Sequence, residues 1–444
     1  MKSPLLAFYG DDFTGSTDAL EQLALMGVRA ALFIEPPTAR RLARFKNLQA
    51  IGVAGMTRSM TPDAMERELR PAFKKLKALG ARHVHYKVCS TFDSSPGIGS
   101  IGRAIDVAAE IFRAPFVPVL AAAPALGRFT IFGTQFARYG IGTKGEIHRL
   151  DRHPSISKHP VTPMTEADLR AHLSRQTRKK IALFDILKVM LPSDLARAEL
   201  ERTLAGGGVD VVLFDALTAE HLVVIAKLME HFATEKRPLF SAGSSGIETA
   251  LAAIWGKKQF SPKRVRPAKQ ILVGSGSCSP VTAQQIAWAV KNGFAEVALS
   301  TKALVSEQKR EKEIGRAAEA AAKFLKAGRS VIVHTTRRGA DEQVAAQLKH
   351  DSGRILGAAV GAVLRRALEQ VKIQRVCIAG GDTSSFAARA LGIEAVEMIA
   401  PLTPGAPLCR AFAANSPADD MEIIFKGGQV GGENYFNIVK TGKS

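Results

Sequence analysis

The segment Leu5-Leu6-Ala7-Phe8-Tyr9-Gly10-Asp11-Asp12-Phe13-Thr14-Gly15-Ser16-Thr17-Asp18 decides the fold class. Its opening apolar run reads as a short buried strand. A glycine, two acids and a Thr-Gly-Ser-Thr run follow, and then a helix over Asp18 to Met26 with Leu20, Leu23, Ala24 and Gly27 on one face. The same rhythm recurs downstream. Strands are expected at Ala30 to Ile34, Gln49 to Gly52, His83 to Val88 and Phe116 to Ala121, with helices over Ala64 to Leu79 and Ile98 to Ile111. Further strands fall at Lys180 to Phe184, Val209 to Phe214, Leu239-Phe240, Gln270 to Val273, Val297 to Ser300, Ser330 to Thr335, Arg375 to Ala379 and Ala395 to Ala400. Alternation of this kind predicts an α/β protein whose mostly parallel sheets are flanked by helices.

With 444 residues the chain is too long for one typical core. Residues 257–269 carry Lys257, Lys258, Lys263, Arg264, Arg266 and Lys269 with Pro262 and Pro267 and no acid, which reads as a basic linker. Two α/β domains are therefore expected, at 1–256 and 270–444. Residues 127–165 interrupt the rhythm. There Pro154, Pro160 and Pro163 forbid a helix, so a long structured loop is expected.

Composition limits the function. Hydrophobic residues at 46% and charged residues at 23% describe a globular chain. The four cysteines form no Cys-x-x-Cys pair, so neither a zinc site nor a disulfide framework is indicated. No uncharged stretch approaches the roughly 18 residues of a membrane helix, and the first apolar run is too short for a signal peptide. A soluble, cytoplasmic protein is expected. The net charge is +20, but the basic residues are scattered and aromatics make up only 6%. That pattern favours an anionic small molecule over nucleic acid as partner.

Chemistry concentrates where strands end. Asp11 and Asp12 follow the first strand, so one carboxylate can hold hydroxyls while the other accepts a proton; the competing role is helix capping by Asp12, Thr14 or Ser16. Arg58, in Thr57-Arg58-Ser59, can grip a carboxylate bidentately. Lys87-Val88-Cys89-Ser90-Thr91-Phe92-Asp93-Ser94-Ser95-Pro96-Gly97-Ile98-Gly99 joins a strand-end lysine to a hydroxyl-rich loop suited to an anionic, oxygen-rich ligand. Beyond residue 270, Gly274-Ser275-Gly276-Ser277-Cys278-Ser279-Pro280 and Gly380-Gly381-Asp382-Thr383-Ser384-Ser385 each follow a strand, and Lys426-Gly427-Gly428 adds a third glycine turn. Together they suit a nucleotide phosphate site, although none is a Walker A loop. His148, His153 and His159 lack metal-ligand spacing, so no protein metal site is expected.

Assembled in order, Gly10 to Asp18, Thr57 to Ser59, Lys87 to Gly99, Ala123 to Arg128, His159 to Met164, Gly274 to Thr282, Gly380 to Ser385 and Lys426 to Gly428 resemble the four-carbon acid sugar kinase family over nearly the whole chain. The resemblance implies ATP-dependent phosphorylation of the terminal hydroxyl of an acid such as threonate, erythronate or 3-oxo-tetronate, with the active site in the cleft between an N-terminal substrate domain and a C-terminal nucleotide domain. It implies that Asp11, Thr14, Arg58, Lys87, Cys89 and Ser90 hold the acid and that Asp12 handles the hydroxyl proton. Ser275, Ser277, Gly380, Gly381, Asp382, Thr383, Gly427 and Gly428 would hold ATP with Mg²⁺. The loop Ser95-Pro96-Gly97-Ile98-Gly99 lacks the Arg and Asn common in that family, which leaves 3-oxo-isoapionate as an alternative acid. Other classes the residues leave open are a carboxylate-activating ligase and a regulatory or nucleic-acid binding protein. A homodimer is one assembly the sequence allows.

Overall fold

The computed structural model describes residues 3–139, 145–159, 161–256, 264–335 and 352–443; the side chains of Ser352 and Asp382 fall outside that description. The first half of the expected linker, 257–263, also lies outside it. The chain divides into two compact units. One comprises 1–11, 22–30 and 36–260; the other comprises 12–21, 31–35 and 261–444.

The first unit is built on β1 (Leu6–Gly10), β3 (Ala50–Ala54), β4 (His83–Lys87), β5 (Val117–Leu120), β9 (Ile181–Phe184), β10 (Val211–Phe214) and β11 (Leu239–Gly243), in the order β3-β1-β4-β11-β5-β10-β9. All these pairings are parallel. Register aligns the strand ends: Gly10 faces Ala54 and Lys87, and Lys87 faces Gly243. Everything that follows those residues therefore emerges at one edge. The strands are buried on both faces, as a helix-covered parallel sheet requires. On one face the helices Pro62–Ala78 and Ile101–Phe112 pack onto Tyr9, Tyr86 and Phe240, with Phe73 edge-on to both tyrosines. On the other face Phe8 occupies the space above Gly52, where a Cβ would lie 2.1 Å from its ring. The long loop expected over 127–165 carries a small antiparallel sheet: β6 (Arg128–Ile131), β7 (Thr134–Arg138) and β8 (Ile147–Arg149). Its alternating burial leaves one face exposed, and its short strands flanked by Gly127 and Gly133 gave no strong periodic signal.

The second unit is a mixed sheet. β12 (Ile271–Ser275), β13 (Ala295–Ala298), β14 (Val331–His334), β15 (Arg375–Ala379) and β18 (Glu422–Lys426) run parallel in the order β13-β14-β12-β15-β18. β16 (Ala395–Thr403) and β17 (Ala406–Phe412) extend it antiparallel. The N-terminal chain contributes β2 (Ala30–Phe33), whose Leu32 and Phe33 pair with Val396 and Ala395. It also contributes the first part of the helix Phe13–Leu25, whose Phe13 ring lies 4.4 Å from that of Phe425. Residues 264–269 are packed here: Arg375 donates to Arg266 O, and Ala268 N–H donates to Lys440 O. Here too the parallel strands end level, with Ser275 beside His334 and Ala379, and Ala379 beside Lys426. Among the described residues no helix is long and apolar enough to cross a membrane.

Candidate active site

In the first unit, three strand-end segments converge. Asp11 leaves β1 and is 3% exposed; its N–H donates to Lys87 O and its C=O accepts from Arg58 N–H. Arg58 sits in the single turn Thr57–Ser59 after β3. Its Nε and Nη2 donate to Asp11 Oδ2 and Oδ1 at 3.0 and 2.7 Å, a bidentate pair. Thr57 anchors that turn through Tyr86, with 2.8 Å between the hydroxyls. Gly99, at φ +62, packs so closely on the turn that a Cβ would lie 2.5 Å from Arg58 O, which explains a glycine at the end of the loop that began at Lys87. The structure thus brings Asp11, Arg58 and Lys87 together. Arg58, read as a grip for a ligand carboxylate, is also the counter-ion of Asp11.

The loop after Lys87 is tightly bonded. The Lys87 ammonium is 2% exposed and donates to Val88 O. Thr91 Oγ1 donates to Asp93 Oδ1, so the Cys89 thiol, 2.9 Å away, donates to Thr91. Burial first, then the Asp93 charge, pushes the Cys89 thiol up to about 11, which keeps it protonated. Gln135 Nε2 donates to Ser90 O. Phe92 holds φ +58, a left-handed conformation rare for an aromatic residue, with its ring edge-on to His172. Strain of this kind recurs at ligand loops. The sequence reading did not single out Thr91, Asp93 or Tyr86, although the first two lay within the quoted motif. Arg128 proves structural: its Nη1 donates to the carbonyls of Leu126, Gly127 and Arg138.

Asp12 and Thr14 belong to the second unit. Asp12 caps the helix Phe13–Leu25: Oδ1 accepts from Gly15 N–H and Oδ2 from Thr14 Oγ1, both at 2.8 Å. The capping role weighed from the sequence is therefore present. It is not the whole account, because a Cβ on Gly381 would lie 3.8 Å from both Asp12 Oδ2 and Thr14 Oγ1. Consecutive in sequence, Asp11 and Asp12 face different neighbours.

Gly381 opens the second unit's cleft, about 270 Å³, lined by Gly276, Ser277, Cys278, Gly380, Thr383 and Gly428 together with Gly353, Leu356 and Gly357. The helices Pro280–Lys291 and Gly381–Ala390 start beside it without side-chain caps among the described residues. Uncapped N–H groups and helix dipoles make such ends anion sites. Gly380 takes φ +115, and a Cβ on Gly276 would lie 2.4 Å from Thr383 Oγ1, so both turns pass against the Thr383 side chain where a Cβ would block it. Ser275 lies beneath, with Oγ accepting from Ser277 N–H, while Ser277 and Gly428 reach the cleft. Gly353, Leu356 and Gly357 lie on the helix Ser352–Gln370, whose sequence carried no ligand signal. Thr282 and Lys426 lay within quoted motifs without being assigned a role, and Gln285 was missed. Thr282 Oγ1 donates to Gly428 O, and Gln285 Nε2 donates to the carbonyls of Val430, Gly431 and Gly432.

Known proteins resemble this chain in sequence and fold. The family profile described as a sugar-binding N-terminal domain matches residues 6–251, and that described as a nucleotide-binding C-terminal domain matches 272–436. A 3-oxo-isoapionate kinase of Paraburkholderia graminis is 42% identical over 99% of this chain and 94% of its own. A 3-oxo-tetronate kinase of Pseudomonas savastanoi is 27% identical over 98% and 96%. A solved Salmonella typhimurium structure described as a putative tRNA synthase superposes with a TM-score of 0.77 at 25% identity, covering 98% of each chain. A Haemophilus influenzae structure shares the fold, with a TM-score of 0.70 at 23% identity over 98% of each chain.

Proposed function

Starting from the fact that this chain belongs to the four-carbon acid sugar kinase family, we propose that it transfers the γ-phosphoryl group of ATP to a hydroxyl of a small 3-oxo sugar acid, 3-oxo-isoapionate first among them. The observation that carries this reading is the Asp12 carboxylate lying against Gly381 at the mouth of a glycine-lined cleft. The 42% relative supports the choice of acid, and so does the loop Ser95 to Gly99, which lacks the usual family Arg and Asn. In this reading 1–256 is the acid-binding domain, 257–269 the linker and 270–444 the nucleotide-binding domain, with Asp12–Glu21 and Ala31–Glu35 packed into the latter.

Phosphoryl transfer rests on positioning and charge neutralisation. Uncapped N–H groups at the starts of the helices Gly381–Ala390 and Pro280–Lys291 hold phosphate oxygens, with Ser277 and Thr383 hydroxyls beside them. Asp11, Arg58, Lys87 and the Cys89-Ser90 loop orient the acid. Asp12 accepts the hydroxyl proton; a carboxylate offers about four acceptor positions, and the two capping bonds take one each. Among the described residues no three His, Cys, Asp or Glu side chains form a metal cage. Mg²⁺ carried by the phosphates would be held by one or two carboxylates, Asp12 being the candidate here, and would neutralise phosphate charge. Cytoplasmic location and a homodimer complete the reading.

The test is a coupled assay of ADP release with MgATP and a panel of 3-oxo-isoapionate, 3-oxo-tetronates, threonate and erythronate. Acceleration by at least one acid, with phosphate ester as product, is expected. AMP or an acyl phosphate as product would instead identify a ligase, and silence across the panel would end the kinase reading for these acids.

A further inference from the structure

Lys426 is the last residue of β18 and immediately precedes Gly427-Gly428. Its side chain is fully buried. Nζ donates to Thr282 Oγ1 at 3.0 Å and lies 5.5 Å from the Tyr435 ring centroid. Among the described residues no carboxylate pairs with it. Glu21, the buried acid nearby, acts instead on Tyr435 and Cys409. The remaining neighbour is the Cys377 thiol, which burial pushes up to about 12 and so keeps neutral, as it does the Tyr435 phenol. A buried ammonium facing only neutral groups is costly. Burial accordingly pulls Lys426 down to about 8. The polypeptide around it is arranged around the cleft. Thr282 Oγ1, which accepts from the lysine, donates its own hydrogen bond to Gly428 O, and Lys426 O accepts from Gly380 N–H at 2.9 Å. Gly428 and Gly380 both line the cleft. Among the described residues, then, a positive charge sits without a counter-ion beneath two turns that line the cleft.

We propose that Lys426 is a positioning residue for nucleotide binding: its buried ammonium orders Gly428 through Thr282, and the phosphates of the nucleotide supply the missing negative charge. This rests on the nucleotide reading of the cleft. Filling the cleft with an anion favours the charged form of the lysine. Binding above pH 8 therefore draws a proton into the protein.

The experiment is calorimetric titration of the full chain with ADP at pH 8.5, in two buffers of different ionisation enthalpy. Wild type should take up roughly half a proton per ADP. Lys426→Met keeps the length and apolar stem without the charge. It should fold with an undiminished Tm, take up no proton and bind ADP about tenfold more weakly at pH 7. Its KM for ATP should rise while KM for the acid stays put. Equal affinity and equal proton uptake in Lys426→Met would overturn the inference while leaving the nucleotide reading standing. Absence of ADP binding by wild type would remove the nucleotide reading itself. If Lys426→Met unfolds, wild-type proton uptake decides alone, and its absence refutes the proposal.

Discussion

Glu21 offers a stability test of the second unit. It is 2% exposed on the helix Phe13–Leu25, and its Oε2 accepts from Gly405 N–H at 2.6 Å, in the turn joining β16 and β17. Burial raises its pKa to about 7, partly opposed by the Gly405 bond, with Asp18 adding a smaller upward push. A raised carboxyl pKa means the folded chain keeps the proton longer than the unfolded chain. Stability from this group is complete below the unfolded value of 4.5 and is lost as pH rises through about 7. The shift corresponds to about 3 kcal/mol across that window. Glu21→Gln stays neutral at every pH and keeps an acceptor for Gly405. It should match wild type at pH 4.5 and exceed it by about 3 kcal/mol at pH 8.5. Urea unfolding at pH 4.5, 6 and 8.5 measures this. In a Trp255→Phe background the remaining indole, Trp288, lies on the helix Pro280–Lys291 and reports the second unit. If the difference between variant and parent is the same at pH 4.5 and 8.5, Glu21 is not the titrating group and the reasoning fails.

Four further outcomes are expected. Asp12→Asn preserves an N-cap acceptor, so turnover should drop about 100-fold with little loss of stability, whereas Asp12→Ala should also lose about 1 kcal/mol; kinetics paired with thermal melts separate the two. Arg58→Met strands the buried Asp11 carboxylate and should cost about 3 kcal/mol in urea unfolding, most of it recovered in Asp11→Asn/Arg58→Met; an additive double variant would refute the pairing. Gly380→Ala forces a side chain into φ +115 and toward Thr383, so KM for ATP should rise about tenfold or more, and an unchanged KM would separate this turn from the nucleotide. Cys278 is exposed and lines the cleft, so ATP should slow its alkylation as read by mass spectrometry, while buried Cys377 and Cys409 stay unmodified until unfolding.

Strand and helix identity was largely legible because parallel strands buried on both faces leave continuous apolar runs, as at Leu6–Gly10 and Arg375–Ala379. The glycine turns were legible for a related reason. Glycine marks places such as Gly276 and Gly380 where backbone must approach closely, and local sequence records that need. The sheet β6-β7-β8 was not legible, since its short half-exposed strands leave no clear period. The burial of Lys426 was also hidden, although the residue stood in the Lys426-Gly427-Gly428 motif. As one basic residue among 61 Lys and Arg, it gains its meaning only from burial among neutral groups.

By itself, then, the sequence determined the α/β rhythm, the strand-end position of Asp11 and Asp12, and the glycine turns of the second unit, because propensity and backbone sterics act over a few residues. Only the tertiary structure decided which partners each acid meets. The carboxylate of Asp11 turns to Arg58, 47 residues away. That of Asp12 caps its own helix beside Gly381, in the unit that also takes in Ala31–Glu35. Two neighbouring identical side chains differ only in the surroundings that packing brings to them, and packing depends on residues far away in the chain.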